Sequence, residues 1–304
     1  MTRRPRRPVH RRNNTLPAIP QRTFFHRIAA ATAALSVIAG GSLLAGIGIS
    51  SASVHSQRPA TAPSVLIGSS FGGSSVASIQ ATAAQFPTAT VGRYYFPADP
   101  APFARSHLAA IPAGETIFVS FKSSIAAVKS GAYDATFKTI LASWNASGRT
   151  IYWTWQHEAD NPAKGIAPAD YVAGWNHLLA DERALPSPRV HSMSVLMAYA
   201  LSPRMPHGDP AAWYVDTDVI GFDSYQLKTE LLAEQYAMAH GKALAFPEFG
   251  DGVVAGQSDA QALAFARQFI AQLTPNVFGA AWFNSGVNSF AGRPMTLAYL
   301  RSAA

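Results

Sequence analysis

A (β/α)8, or TIM, barrel is the fold the sequence predicts, on three observations. Eight short apolar runs recur along residues 64–304, mostly separated by stretches of helical periodicity. The runs are apolar on both faces, as parallel strands are when helices cover one side and a barrel interior fills the other. Their span also matches the roughly 250 residues that such a barrel usually takes. The rival, a doubly wound open sheet, would need a phosphate loop after its first strand, and Gly68, Gly72 and Gly73 have the wrong spacing for one.

The runs are SVLIGSSF (64–71), TATVGRYYF (88–96), TIFVSFK (116–122), TIYWTWQHE (150–158), VHSMSVLMAYA (190–200), DVIGFDSY (218–225), ALAFPEFG (243–250) and FGAAWFNSG (278–286). Between them, Phe137, Ile140, Leu141 and Trp144 form one helical stripe, and Tyr171, Trp175, Leu178 and Leu179 form another. Ser258 and Gln261 have capping-box spacing and open a helix that runs through Leu273. Gly241 stands where the sixth helix must end and turn into the seventh strand. The fifth connection carries Pro203, Pro206 and Pro210 and reads mostly as loop.

Composition limits what this chain can do. Its 304 residues are 48% hydrophobic and only 13% charged, enough apolar material for a large core. There is no Cys, which excludes disulfides, thiol catalysis and Cys-ligated zinc. The net charge of +7 suggests nucleic acid until it is located. Nine of the 24 basic residues fall within residues 1–58, where there is no Asp or Glu, leaving 15 basic against 17 acidic residues. A nucleic-acid footprint on the folded part is therefore not expected.

The charge belongs to a leader. A basic segment (1–27) precedes an uncharged apolar stretch (28–50) and a small-residue and proline-rich linker (51–63). That order predicts export, either by a cleaved signal or by an anchor that stays in the membrane with its arginines on the cytoplasmic side. Membrane contact is expected through this segment alone. The catalytic-type barrel would then occupy residues 64–304.

Function in such a barrel gathers at the C-terminal strand ends. Those ends carry Phe71, then Arg93, Tyr94 and Tyr95, Lys122, His157 and Glu158, Tyr199, Asp223 and Tyr225, Glu248, and finally Trp282 and Asn284. Only the fourth and seventh ends deliver a Glu, and these ends lie across the barrel mouth from each other. Paired carboxyls facing a cleft suit glycoside hydrolysis, in which one protonates the leaving oxygen while the other attacks or activates water. Surrounding aromatic rings suit the C–H faces of sugars. Strict alternation would send His157 and Glu158 to opposite faces, so either the strand end bulges or His157 tucks beneath as an orienting donor. No HExxH pattern and no second His at ligand spacing is present, so no metal and no cofactor is expected.

The His157-Glu158 pair, PEFG around Glu248, GFDSY around Tyr225 and AAWFN around Trp282 together resemble glycoside hydrolase family 26, in the clan of retaining (β/α)8 glycosidases. The resemblance implies that Glu158 is the acid/base and Glu248 the nucleophile, with His157 and Tyr225 in support. It also implies that Trp282 floors the sugar subsite, while the strand-end reading adds Asp223, Tyr94, Arg93 and Asn284 as candidate substrate contacts. The implied partner is a β-linked polysaccharide, β-mannan or a related β-glycan. After His-Glu the chain departs from the family's mannanases, continuing Ala159-Asp160-Asn161-Pro162 with no Trp until Trp175. Two other readings stay open at this point: a non-catalytic surface protein that binds glycan in a barrel cleft, and a metal-dependent hydrolase on the same barrel.

Overall fold

The computed structural model describes residues 65–70, 75–96, 98, 106–202, 209–251 and 257–304. The leader, the apolar stretch, the linker, and Phe71 lie outside the described residues. Eight parallel strands close into a barrel in sequence order: β1 (Leu66–Ser70), β2 (Val91–Phe96), β3 (Thr116–Phe121), β4 (Ile151–Trp155), β5 (Val190–Met197), β6 (Val219–Asp223), β7 (Ala243–Phe249) and β8 (Val277–Trp282). β1 pairs with β8 to complete the ring. Closure leaves no strand edge to be covered.

The helices are α1 (Val76–Gln85), α2 (Ser106–Ala110), α3 (Ile125–Lys129), α4 (Asp134–Ala146), α5 (Pro168–Ala184), α6 (Glu230–Ala239), α7 (Asp259–Gln272) and α8 (Pro294–Ala303). Both expected stripes are buried, the first on α4 and the second on α5. The capping box at Ser258 and Gln261 forms, and Gly241 takes a left-handed φ of 65° just beyond α6. Between β5 and β6 the described residues hold two 3-10 turns, Ala198–Leu201 and Pro210–Trp213, and no α-helix; Pro210 opens the second turn, and Pro203 and Pro206 lie outside the described residues. Among the described residues no helix is long and apolar enough to cross a membrane.

Strand alternation sorts side chains into two cores. Val91, Phe118, Met193, Val195, Val219 and Ala245 fill the barrel interior, with Tyr152 and Phe278 packed against them at 4.8 Å between ring centroids. The larger core lies between strands and helices. There Trp153 stacks on Trp175 at 4.9 Å and Trp155 on Tyr171 at 6.2 Å. These contacts press β4 against α5.

Two irregularities decide what reaches the barrel mouth. On β7, Phe246 pairs with Ala280 and Phe249 with Trp282, so β7 holds one more residue than β8 over this span. Pro247 lies inside that bulge, where its missing N–H costs no ladder bond. β4 ends at Trp155, three residues short of the predicted run, because Gln156 and Glu158 take φ values of 52° and 51°.

Gly174 on α5 meets Trp155 so closely that an added Cβ would lie 2.3 Å from the ring. Trp155 cannot swing away, being fully buried with its Nε1–H donated to Ser123 O at 3.1 Å. Gly174→Ala is therefore expected to destabilise the fold by about 1–3 kcal/mol, as overpacking of a filled core does. A urea titration checks this; an unchanged midpoint would show that β4 and α5 can separate freely.

Candidate active site

The end of β4 shows how adjacent His157 and Glu158 come to share one pocket. Gln156 and Glu158 are the only non-glycine residues with left-handed backbone among the described residues. Such backbone costs about 1–3 kcal/mol per residue and persists only where its surroundings over-determine it. Here they do. The Gln156 N–H donates to Phe121 O on β3 at 2.9 Å, and its side-chain amide donates to Ser123 O at 3.0 Å. The Glu158 N–H donates to Val195 O on β5 at 2.8 Å. Both carboxylate oxygens of Asp160 accept the Met197 N–H at 3.1 Å, fastening the turn to the end of β5. Two left-handed residues flanking His157 replace strict alternation, and His157 and Glu158 both line the mouth.

Glu248 arrives from the β7 bulge. Its Oε1 accepts from the Tyr95 hydroxyl at 2.8 Å and its Oε2 from the Tyr225 hydroxyl at 2.6 Å. Arg93, fully buried in the barrel interior, lies 3.8 Å from Glu248 and 3.9 Å from Asp223. Its guanidinium also faces the Tyr95 ring at 5.2 Å. Burial pushes the Glu248 carboxyl above its ordinary value; Arg93 pulls it back, the Glu158 charge adds to the rise, and the two phenols oppose it. Burial drives Asp223 well above the usual carboxylate range, and the Glu248 charge drives it further against the pull of Arg93. Neither Asp223 oxygen has a hydrogen bond among the described residues, whereas Glu248 has two donors. One guanidinium between two buried carboxyls therefore leaves the negative charge on Glu248 and the proton on Asp223. Burial, followed by the Glu248 charge, keeps Tyr95 and Tyr225 protonated as donors.

Glu158 is partly exposed, and its Oε2 accepts from Lys164 Nζ at 3.2 Å. His157 is buried against Tyr95, with ring centroids 5.6 Å apart. Burial and the nearby Arg93, Lys164 and Lys122 hold it well below its ordinary value, hence neutral at pH 7. Glu158, Asp223 and Glu248 each offer an oxygen within 4.8 Å of the others. That donor set could hold a cation, but Arg93 already sits against two members and tyrosine hydroxyls cap both Glu248 oxygens. The open pocket has a volume of about 380 Å3 and is lined by Tyr95, Phe96, Lys122, His157, Glu158, Tyr225, Glu248 and Phe283. A larger cleft, about 640 Å3, lies away from the strand ends between α6 and α7.

Five of the residues expected to contact sugar need correction. Trp282 is fully buried, donates its Nε1–H to Asn288 O at 2.8 Å and packs edge-on to Phe249 at 5.4 Å; its neighbour Phe283 lines the pocket instead. Tyr94 points to the helix side and donates to Glu115 at 2.7 Å, because alternation that turns Arg93 inward turns Tyr94 outward. Asn284 is spent on the loop after β8, its N–H donating to Ser70 Oγ at 3.0 Å and its Oδ1 accepting from Phe290 N at 2.8 Å. Arg93 and Asp223 lie buried beneath the pocket, where they set charge and touch no sugar space. Tyr95, Asp160 and Lys164 went unassigned in the sequence. Tyr95 was legible, since it shares a strand face with Arg93; the other two carry no signal before the turn is folded.

No known family model matches this chain, and no curated protein matches it either. Solved structures do. A GH5_18 protein from Bifidobacterium longum subsp. infantis superposes with a TM-score of 0.57 at 15% identity, covering 79% of each chain. The likeness is one of fold, the closed (β/α)8 barrel. The GH26 domain of a Prevotella bryantii endo-β-mannanase/endo-β-glucanase gives 0.53 at 13% identity, over 79% of this chain and 88% of that one. A GH5-4 broad specificity endoglucanase from Ruminococcus champanellensis gives 0.54 at 11% identity, over 79% and 95%. Families 5 and 26 both appear, so the barrel is common ground and neither family is singled out.

Burial raises Asp160 from its ordinary 3.8 to about 7, against the pull of the Met197 N–H. Between those values the folded protein keeps a proton that the unfolded chain has released, so stability falls as pH rises through this window. Asp160→Asn keeps an acceptor for Met197 and removes this titration. The drop in denaturation midpoint from about pH 5 to pH 7 is expected to be smaller in the variant than in the parent. Equal drops would count against the burial of this carboxyl.

Proposed function

We propose that this chain is an exported retaining glycoside hydrolase acting on a β-linked polysaccharide, with Glu158 as acid/base and Glu248 as nucleophile. One observation carries the reading: two carboxyls, one from the turn after β4 and one from β7, with oxygens within 4.8 Å, share one open pocket at the C-terminal mouth of the barrel. Retaining pairs stand about 5–5.5 Å apart and inverting pairs about 6.5–9.5 Å. The closer class fits. The fold shared with glycosidases of families 5 and 26 is consistent with this reading, and β-mannan or a related β-glycan is the substrate class that the motifs suggest.

In the first step a Glu248 oxygen attacks the anomeric carbon, the glycosidic C–O bond breaks, and Glu158 gives its proton to the departing oxygen. Tyr95 and Tyr225 hold the attacking carboxylate, while Arg93 favours its charge over that of Asp223. In the second step Glu158 takes a proton from water, whose oxygen attacks the same carbon and releases Glu248.

Glu158→Ala is expected to lower turnover roughly a hundredfold to ten-thousandfold, the span of general acid–base catalysis. Glu248→Ala, which removes the attacking group, should lose at least as much, measured as reducing ends released from β-mannan and β-glucan. No turnover in the parent, with glycan binding that neither change affects, would return the protein to the glycan-binding reading; unchanged turnover in both variants would overturn these two roles. Proton NMR of the first-formed product should show the substrate's anomer; the opposite anomer would rule out the covalent step. Because Arg93 and the two phenols fill the role of a cation at Glu248, activity should survive a chelator. Its loss would favour the metal-dependent reading.

A further inference from the structure

We infer that the sugar cleaved in this pocket bears an anionic group, and that Lys122 and Lys164 receive it. The inference rests on the glycosidase reading above and concerns the substrate class of that same site. Lys122 follows directly on β3 and lines the pocket, its side chain making no hydrogen bond or ion pair among the described residues. Lys164, on the turn after β4, reaches Glu158 Oε2 at 3.2 Å and also donates to His157 O. The two ammonium groups stand close enough to repel. After burial, the Lys164 charge contributes most to lowering Lys122 from its ordinary value, Arg93 adds to this, and Glu158 and Glu248 oppose it.

The charges facing the reacting carbon suit a β-glycan with an acidic substituent better than a neutral one. When Glu158 holds the proton it must deliver, Asp223 is neutral by burial and His157 is neutral as well. Among the described residues Glu248 is then the one carboxylate set against three cations, Arg93 beneath it, Lys122 in the pocket lining and Lys164 at Glu158. Glycoside cleavage passes through an oxocarbenium-like state whose ring carries positive charge. Surplus ammonium groups beside that ring raise the barrier unless the substrate itself neutralises them. An acidic substituent does so. It would pair with Lys122 and draw Lys164 from Glu158, freeing the oxygen that Lys164 occupies. Two chemistries supply such a group, a uronate carboxylate and a sulfate ester.

The test uses the full chain carrying Glu158→Gln, which fixes the acid/base in its neutral form, cannot donate the proton, and leaves the Glu248 carboxylate in place. Calorimetry compares a β-1,4-linked glucuronate tetrasaccharide, a sulfated cellotetraose and plain cellotetraose. An acidic ligand is expected to bind at least about tenfold more tightly than the neutral one, as charge-assisted hydrogen bonds do. Adding Lys122→Met should remove about tenfold of that preference, read as the ratio of acidic to neutral affinity in the same variant. The favoured acidic arm identifies the source. Equal or tighter binding of plain cellotetraose overturns the inference, as does an acidic preference that Lys122→Met leaves intact. The unmutated protein separates this result from the fate of the glycosidase reading. Cleavage of neutral glycans without acidic preference sinks the lysine site alone. Lysine-dependent binding of an acidic ligand with no cleavage of any glycan sinks the hydrolase alone.

Discussion

Arg93 is the group on which the mouth of this barrel depends. It is wholly buried, the charge is carried into the barrel interior by strand alternation, and Asp223 and Glu248 stand within 3.9 Å as its counter-ions. A buried ion of this kind is a poor source of stability, because desolvation offsets most of the attraction. What it does is apportion charge. With one cation between two carboxyls, the one with hydrogen-bond donors keeps the negative charge, and the two tyrosine hydroxyls make that one Glu248. Remove the guanidinium and two buried carboxyls would be left to neutralise as burial dictates.

The opposite wall shows a different cost. Two left-handed residues, one on each side of His157, are unfavourable by themselves, and hydrogen bonds to β3, to β5 and within the turn hold them in place. Strained backbone of this sort gathers where geometry serves chemistry. Its result is that a strand reading TIYWTWQHE delivers two adjacent polar side chains to one pocket. Asp160 is central to this, since it locks the turn onto β5 while its own burial makes it sensitive to pH.

The barrel is shared with glycosidases of two families at 11–15% identity, which places the likeness in the architecture and leaves the chemistry to the strand ends. Those ends have a character of their own here: an aromatic lining of Tyr95, Phe96, Tyr225 and Phe283, and a lysine with no partner among the described residues. A pocket of this charge selects by electrostatics as well as by shape.

Eight apolar runs, two aromatic helical stripes and a capping box were enough to predict the closed barrel, because hydrophobic periodicity is local and barrel closure follows from it. The positions of Glu158 and Glu248 at strand ends were legible for the same reason. Which side chains face the pocket was not. Trp282 and Phe283 differ by one position, and that step sends one into the core and the other to the mouth. The bulge at Pro247, the left-handed turn at Gln156 and Glu158, and the reach of Lys164 to Glu158 all depend on bonds between neighbouring strands or across a folded turn. By itself the sequence determined the barrel and the two acidic strand ends, since these follow from patterns within each segment. Tertiary structure alone decided which groups meet and which carboxyl keeps its charge, since both depend on distances between segments far apart in the chain.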